Sequence, residues 1–92
     1  MTNDHFGQRL ALAVQKKKNP VCVGIDPRLS SLPEPLRPKP NASLEDQVAA
    51  ILHFSLQVID VVAELVPVVK PQAAFFEEFG PAGMVALHRV VQ

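Results

Sequence analysis

Hydrophobic positions along the chain fall into groups separated by polar or proline-rich breaks. Phe6, Leu10, Ala13 and Val14 recur at helical spacing, with Asn3 placed as an N-cap. Lys16 to Lys18 occupy the last turn, where cations suit the helix dipole, and Asn19-Pro20 supplies a stop. A continuous apolar run, Val21-Cys22-Val23-Gly24-Ile25, then ends at Asp26-Pro27. Continuous rather than alternating apolarity, with β-branched residues, predicts a strand covered on both faces, as in a parallel sheet. The stretch from Pro27 to Pro40 also holds Pro33, Pro35 and Pro38, which excludes a helix or a central strand and divides the chain.

The strongest helical signal follows. Ser43 with Asp46 three residues on resembles a capping box, and Glu45 sits in the favourable first turn. Leu44, Val48, Ile51, Leu52, Val58, Ile59, Val62 and Leu65 form one stripe, from which only Ser55 departs. The helix is therefore expected over 44–65. Pro67 cannot continue it, and Val68-Val69 forms a second short strand that ends at Lys70-Pro71. Strand, long loop, helix and strand make a βαβ unit, which implies a right-handed crossover in a parallel sheet. Beyond it lie Phe75, Phe76 and Phe79, and Gly80-Pro81 opens another helix with Met84, Leu87, Val90 and Val91 on one face. That helix reaches Gln92 without a stop signal, and two strands are too few for a stable parallel sheet. The pattern predicts a chain that ends before its fold does, although a helix fraying at a natural terminus fits the same residues.

Composition narrows the partners. Nine Lys+Arg balance nine Asp+Glu, giving zero formal net charge and a pI near 6.8 in 92 residues. Nucleic acid and anionic membranes both call for clustered cationic charge, so neither is expected as the main partner. The one basic run, Lys16 to Lys18, reads as a solvated helix end. No apolar run approaches the ~18 residues of a membrane span, and Met1 to His5 lacks the flanks of a secretory signal, so a cytoplasmic protein is expected. The single cysteine, Cys22, excludes an internal disulfide and a multi-cysteine zinc site, and it reads as a small hydrophobe inside its strand. His5, His53 and His88 are scattered without metal-ligand spacing, and Gly7, Gly24, Gly80 and Gly83 match no phosphate-binding glycine motif.

Asp26 and Lys70 carry the candidate chemistry. Each is the first charged residue after an apolar strand, at the carboxyl edge where parallel α/β folds bind ligands. Together they offer a carboxylate acceptor and an ammonium donor to a polar ligand. Any strand must end in something polar, however, so placement alone fits a site and an ordinary strand exit equally. Arg28 and Ser30-Ser31 could contact an anion, or simply begin a solvated loop. Glu77-Glu78 could act as paired carboxylates, but adjacent side chains usually point apart and read as solvated charge.

Three segments carry a family resemblance. Asn19-Pro-Val-Cys-Val-Gly-Ile-Asp-Pro-Arg28, Val69-Lys-Pro-Gln-Ala-Ala-Phe-Phe-Glu77 and Phe79-Gly-Pro-Ala-Gly83 resemble, in order and separation, the N-terminal part of the orotidine 5′-phosphate decarboxylase family in its longer bacterial subfamily. The resemblance implies a (β/α)8 TIM barrel, of which residues 1–92 would be an incomplete N-terminal portion. This portion would hold the first two βα units and a preceding N-terminal helix, with a Pro-rich loop at 27–42. It implies conversion of orotidine 5′-monophosphate to uridine 5′-monophosphate and carbon dioxide, a step of pyrimidine biosynthesis, with no metal or organic cofactor and a homodimeric enzyme. By resemblance, Asp26 matches the first-strand aspartate that binds the ribose hydroxyls, and Lys70 matches the second-strand lysine of a charged Lys/Asp network beside the substrate. The family's proton-donating lysine lies in an Asp-x-Lys-x-x-Asp motif that these 92 residues lack. The isolated chain is therefore expected to be inactive and without a stable fold of its own. Two other readings remain open: part of another phosphate-binding barrel lyase, such as one that decarboxylates sugar acids, and a non-catalytic helical module docking through the Leu44 to Leu65 stripe.

Overall fold

The computed structural model describes residues 5–92, so the Asn3 cap lies outside the described residues. Helix α1 spans Phe6–Lys17. It begins with the His5 N–H donating to Gln8 Oε1 at 3.3 Å. It ends at Lys18, whose backbone is left-handed (φ 62°) and whose N–H donates to the Val14 carbonyl at 2.8 Å. That cap conformation is more usual for glycine. The Asn19 side chain then makes the expected stop into a knot. Its Nδ2 donates to the carbonyls of Leu65 at 2.9 Å and Lys17 at 3.1 Å, and its Oδ1 accepts from the Val21 N–H at 3.0 Å. Lys17 Nζ adds a bond to the Glu64 carbonyl at 3.1 Å, so the end of α1 is tied to the turn preceding the second strand.

Strands β1 (Cys22–Ile25) and β2 (Val68–Pro71) pair in parallel as a two-stranded sheet. The crossover between them carries α2, Leu44–Val62. Ser43 caps this helix by accepting from the Asp46 N–H at 3.1 Å. The helix stops short of the expected Leu65, because residues 63–65 tighten into a turn in which both Ala63 and Leu65 donate within the turn or to the last helical carbonyls. Ser55, expected as a break in the apolar stripe, is fully buried on it. Its hydroxyl donates to the Ile51 carbonyl at 2.7 Å, one turn back, which satisfies the only polar atom it brings inside.

The main core lies between helices. Val48 and Ile51 of α2 pack with Phe76 of α3 (Ala74–Glu77), with Phe79, and with Ala86 and Val90 of α4 (Gly80–Val91). The face of α4 differs from the expected one. Gly83, Ala86, Leu87 and Val90 turn inward, whereas Met84 and Val91 are exposed. The small residues Gly83 and Ala86 let α4 approach α3 closely, and that proximity, rather than side-chain size, sets the rotation of the helix.

Two further expectations change. The Pro-rich segment is not plain loop: it holds 3₁₀ turns at Leu29–Ser31 and Glu34–Leu36, both packed against α2. Pro27 and Leu32 are fully buried, and Arg37 donates from Nε and Nη2 to the Leu32 carbonyl at 3.1 and 2.9 Å. Strand β1, expected to be covered on both faces, is covered on one. Ile25 is buried and Val23 half-buried, while Cys22 and Gly24 are exposed. The helices touching the sheet, α2 on β1 and α4 on β2, leave the opposite face open. The radius of gyration of 15.0 Å exceeds the ~12 Å of a compact domain this long. Val61, Leu65, Val85 and Val91 remain 61 to 70% exposed. No described helix is long and apolar enough to cross a membrane.

Candidate functional site

The register of the sheet brings Asp26 and Lys70 to one face. Gly24 pairs with Lys70 and Ile25 with Pro71. Side chains alternate along a strand, and paired residues in a parallel ladder share a face. Ile25 points into the core, so Gly24 and Lys70 belong to the open face, and Asp26 continues the same alternation one step past β1. A strand spacing of ~4.8 Å and a rise of ~3.3 Å per residue put the Asp26 and Lys70 Cα atoms about 8 Å apart on a diagonal. Both side chains are exposed on this face. That interval leaves room for a polar ligand between a carboxylate and an ammonium group.

The backbone on each side is held firmly. The Gln72 N–H donates to the Ile25 carbonyl at 2.9 Å, which extends the ladder past Lys70. Asp26 is followed by buried Pro27, whose ring fixes the backbone, and the Arg28 N–H closes a tight turn onto the Asp26 carbonyl at 2.9 Å. The aspartate therefore stands on a short, rigid exit from β1, and the lysine on a hydrogen-bonded strand.

The other candidates do not converge here as ligands. Ser30 and Ser31 lie exposed in a 3₁₀ turn, and Glu77 and Glu78 are both exposed at the end of α3. Arg28 instead sits over the ring of Phe75, its guanidinium carbon 5.2 Å from the centroid. Sequence reasoning missed this pair, because the βαβ pattern brings the two strand exits together without showing which side chains beyond them meet. His53 and His88 are exposed and contact Gln57 of α2 and Gln92, which caps α4, at 3.1 and 3.3 Å. Among the described residues no group of three His, Cys, Asp or Glu could hold a metal ion. A cleft at the start of α2, lined by Leu36, Arg37, Lys39, Asn41, Ser43 and Asp46, includes neither Asp26 nor Lys70.

Comparison with curated proteins finds relatives that share one name. The orotidine 5′-phosphate decarboxylase of Rhodopirellula baltica is 51% identical over 87 residues, covering 94% of this chain and 29% of the relative. Those of Streptomyces coelicolor and a Nocardioides species are 44% and 43% identical over 87 and 86 residues, covering 95% and 94% of this chain and 28% and 29% of theirs. The chain thus spans less than a third of the length of the curated relatives it matches. No family model matches the chain, and no solved structure does.

Proposed function

We propose that this chain, a member of the orotidine 5′-phosphate decarboxylase family by sequence, supplies the first two βα units of a (β/α)8 barrel that decarboxylates orotidine 5′-phosphate. The observation that carries the reading is the placement of Asp26 and Lys70, on one open face at the carboxyl ends of neighbouring parallel strands. In a barrel, helices cover the outside and active groups gather at the carboxyl ends of the strands. The face carrying Gly24 and Lys70, left open by the described helices that pack on the sheet, corresponds to the barrel interior.

The chemistry suits that placement. Loss of the carboxyl group breaks a carbon–carbon bond, releases carbon dioxide and leaves the electron pair on a ring carbon. A proton delivered to that carbon completes uridine 5′-monophosphate. Fixed charge stabilises such a carbanion best in a site that excludes water. In this reading the Asp26 carboxylate accepts hydrogen bonds from the ribose hydroxyls and holds the nucleotide in register. Lys70 contributes positive charge beside the reacting carbon and orders the neighbouring acidic groups. The proton donor comes from outside these residues, so the chain alone turns nothing over. A cytoplasmic homodimer belongs to the same reading.

A chimera tests it. The 92 residues replace their counterpart in the Rhodopirellula baltica enzyme, and decarboxylation is followed by the loss of orotidine absorbance. The chimera is expected to be active. Asp26→Ala and Lys70→Ala are each expected to lower kcat/KM by roughly 10- to 100-fold or more, the scale of a lost charge-assisted hydrogen bond. An active chimera indifferent to both substitutions overturns the assignment.

A further inference from the structure

We propose that Arg28 is a positioning residue: stacked on Phe75, it fastens the exit of β1 to the exit of β2 and so sets Asp26 relative to Lys70. The inference rests on the reading that these two residues share one substrate, and it adds the device that holds their spacing. The guanidinium carbon lies 5.2 Å from the Phe75 centroid, within the range of a cation–π contact. Both ends of the contact are anchored. On one side the Arg28 N–H is bonded to the Asp26 carbonyl at 2.9 Å across buried Pro27, so a pull on Arg28 reaches Asp26 through a stiff turn. On the other side Phe75 precedes Phe76, which is 0% exposed in the helical core, and its own N–H donates to the Gln72 carbonyl at 3.2 Å. Gln72 is in turn bonded to the Ile25 carbonyl at 2.9 Å. The side-chain stack therefore closes a loop whose other links are the strand ladder and two turns.

The Arg28 guanidinium carbon lies over the Phe75 ring, and a planar, delocalised cation suits an aromatic face better than an ammonium does. Arg28→Lys should accordingly retain part of the effect, and Arg28→Gln, shorter and neutral, should lose it.

The test uses the active chimera and orotidine 5′-phosphate as the probe. Arg28→Gln and Phe75→Leu are each expected to raise KM about two- to fivefold, the scale of one exposed cation–π contact. Expected alongside are a kcat within about twofold of the parent, an intermediate KM for Arg28→Lys, and a double variant no worse than the weaker single one. Urea unfolding of the parent, Arg28→Gln, Phe75→Leu and the double variant should show the same non-additivity. An unchanged KM in Arg28→Gln, additive effects in the double variant, or a fall confined to kcat overturns the proposal. Asp26→Ala distinguishes the two levels. If it raises KM while Arg28→Gln does not, the positioning role alone fails. If Asp26→Ala leaves KM untouched, the site reading fails and takes this proposal with it.

Discussion

Gly83 of α4 lies against the backbone of Phe76 in α3, and the two helices meet there without room for a side chain. A Cβ on Gly83 would collide with the Phe76 carbonyl oxygen and come within 2.9 Å of the Phe79 Cβ. The obstacle is backbone on one side and the root of a buried ring on the other, so neither can swing away. Gly83→Ala should therefore destabilise by about 1 to 3 kcal/mol, although alanine is intrinsically the better helix former by ~1 kcal/mol. A lower urea midpoint at unchanged m-value is the expected result. A raised midpoint would show that α3 and α4 do not meet this closely.

Gly80 presents the opposite case. Its φ is +68°, yet nothing lies within 4 Å of where a Cβ would stand. Gly80→Ala should cost about 1 to 2 kcal/mol through backbone strain alone, and Gly80→Asn should cost less, since asparagine tolerates the left-handed region. Equal losses for the two, measured by thermal melting, would contradict this assignment of the strain.

Ser55 is buried, but its hydroxyl donates to a carbonyl of its own helix, at Ile51. Removing the hydroxyl leaves no unpaired donor behind, so Ser55→Ala should change stability by less than about 1 kcal/mol. Ser55→Leu, which adds volume to a filled site, should destabilise by about 1 to 3 kcal/mol. A denaturation series over the three side chains checks the order.

These contrasts show which features can be read from the chain and which cannot. The strands, the α2 helix and the stops at Asn19-Pro20 and Pro67 follow from local periodicity and local chemistry, and the structure forms them within a few residues of the expected bounds. Asp26 and Lys70 were legible for the same reason, as the first charges after apolar runs. The inward face of α4 was not, because the close approach of Gly83 to Phe76 outranks the bulk of Met84 and Val91. The four-residue α3 gives too short a pattern to show periodicity. The contact of Arg28 with Phe75 depends on how two side chains beyond the strand ends are turned, which no local pattern encodes. The apolar run of β1 signalled cover on both faces, and the described residues supply it on one.

That open face gives a direct chemical test. Cys22 is exposed on it. In the barrel reading the same thiol points into the packed interior, where a reagent reaches it only through opening. Modification of Cys22 by a disulfide reagent should be roughly tenfold or more slower in the full-length chimera than in the isolated chain. Equal rates would show that nothing covers this face in the longer protein.

The prolines that punctuate the chain have a bearing on how the sheet is kept from pairing wrongly. A two-stranded sheet has an open edge on each side, and open edges recruit strands from other molecules. Here Pro20 and Pro27 bracket β1, while Pro67 precedes β2 and Pro71 closes it. None of these residues has a backbone N–H with which to extend a ladder, and together they hold both strands to four residues. The sheet thus presents edges too short to template a long intermolecular ladder.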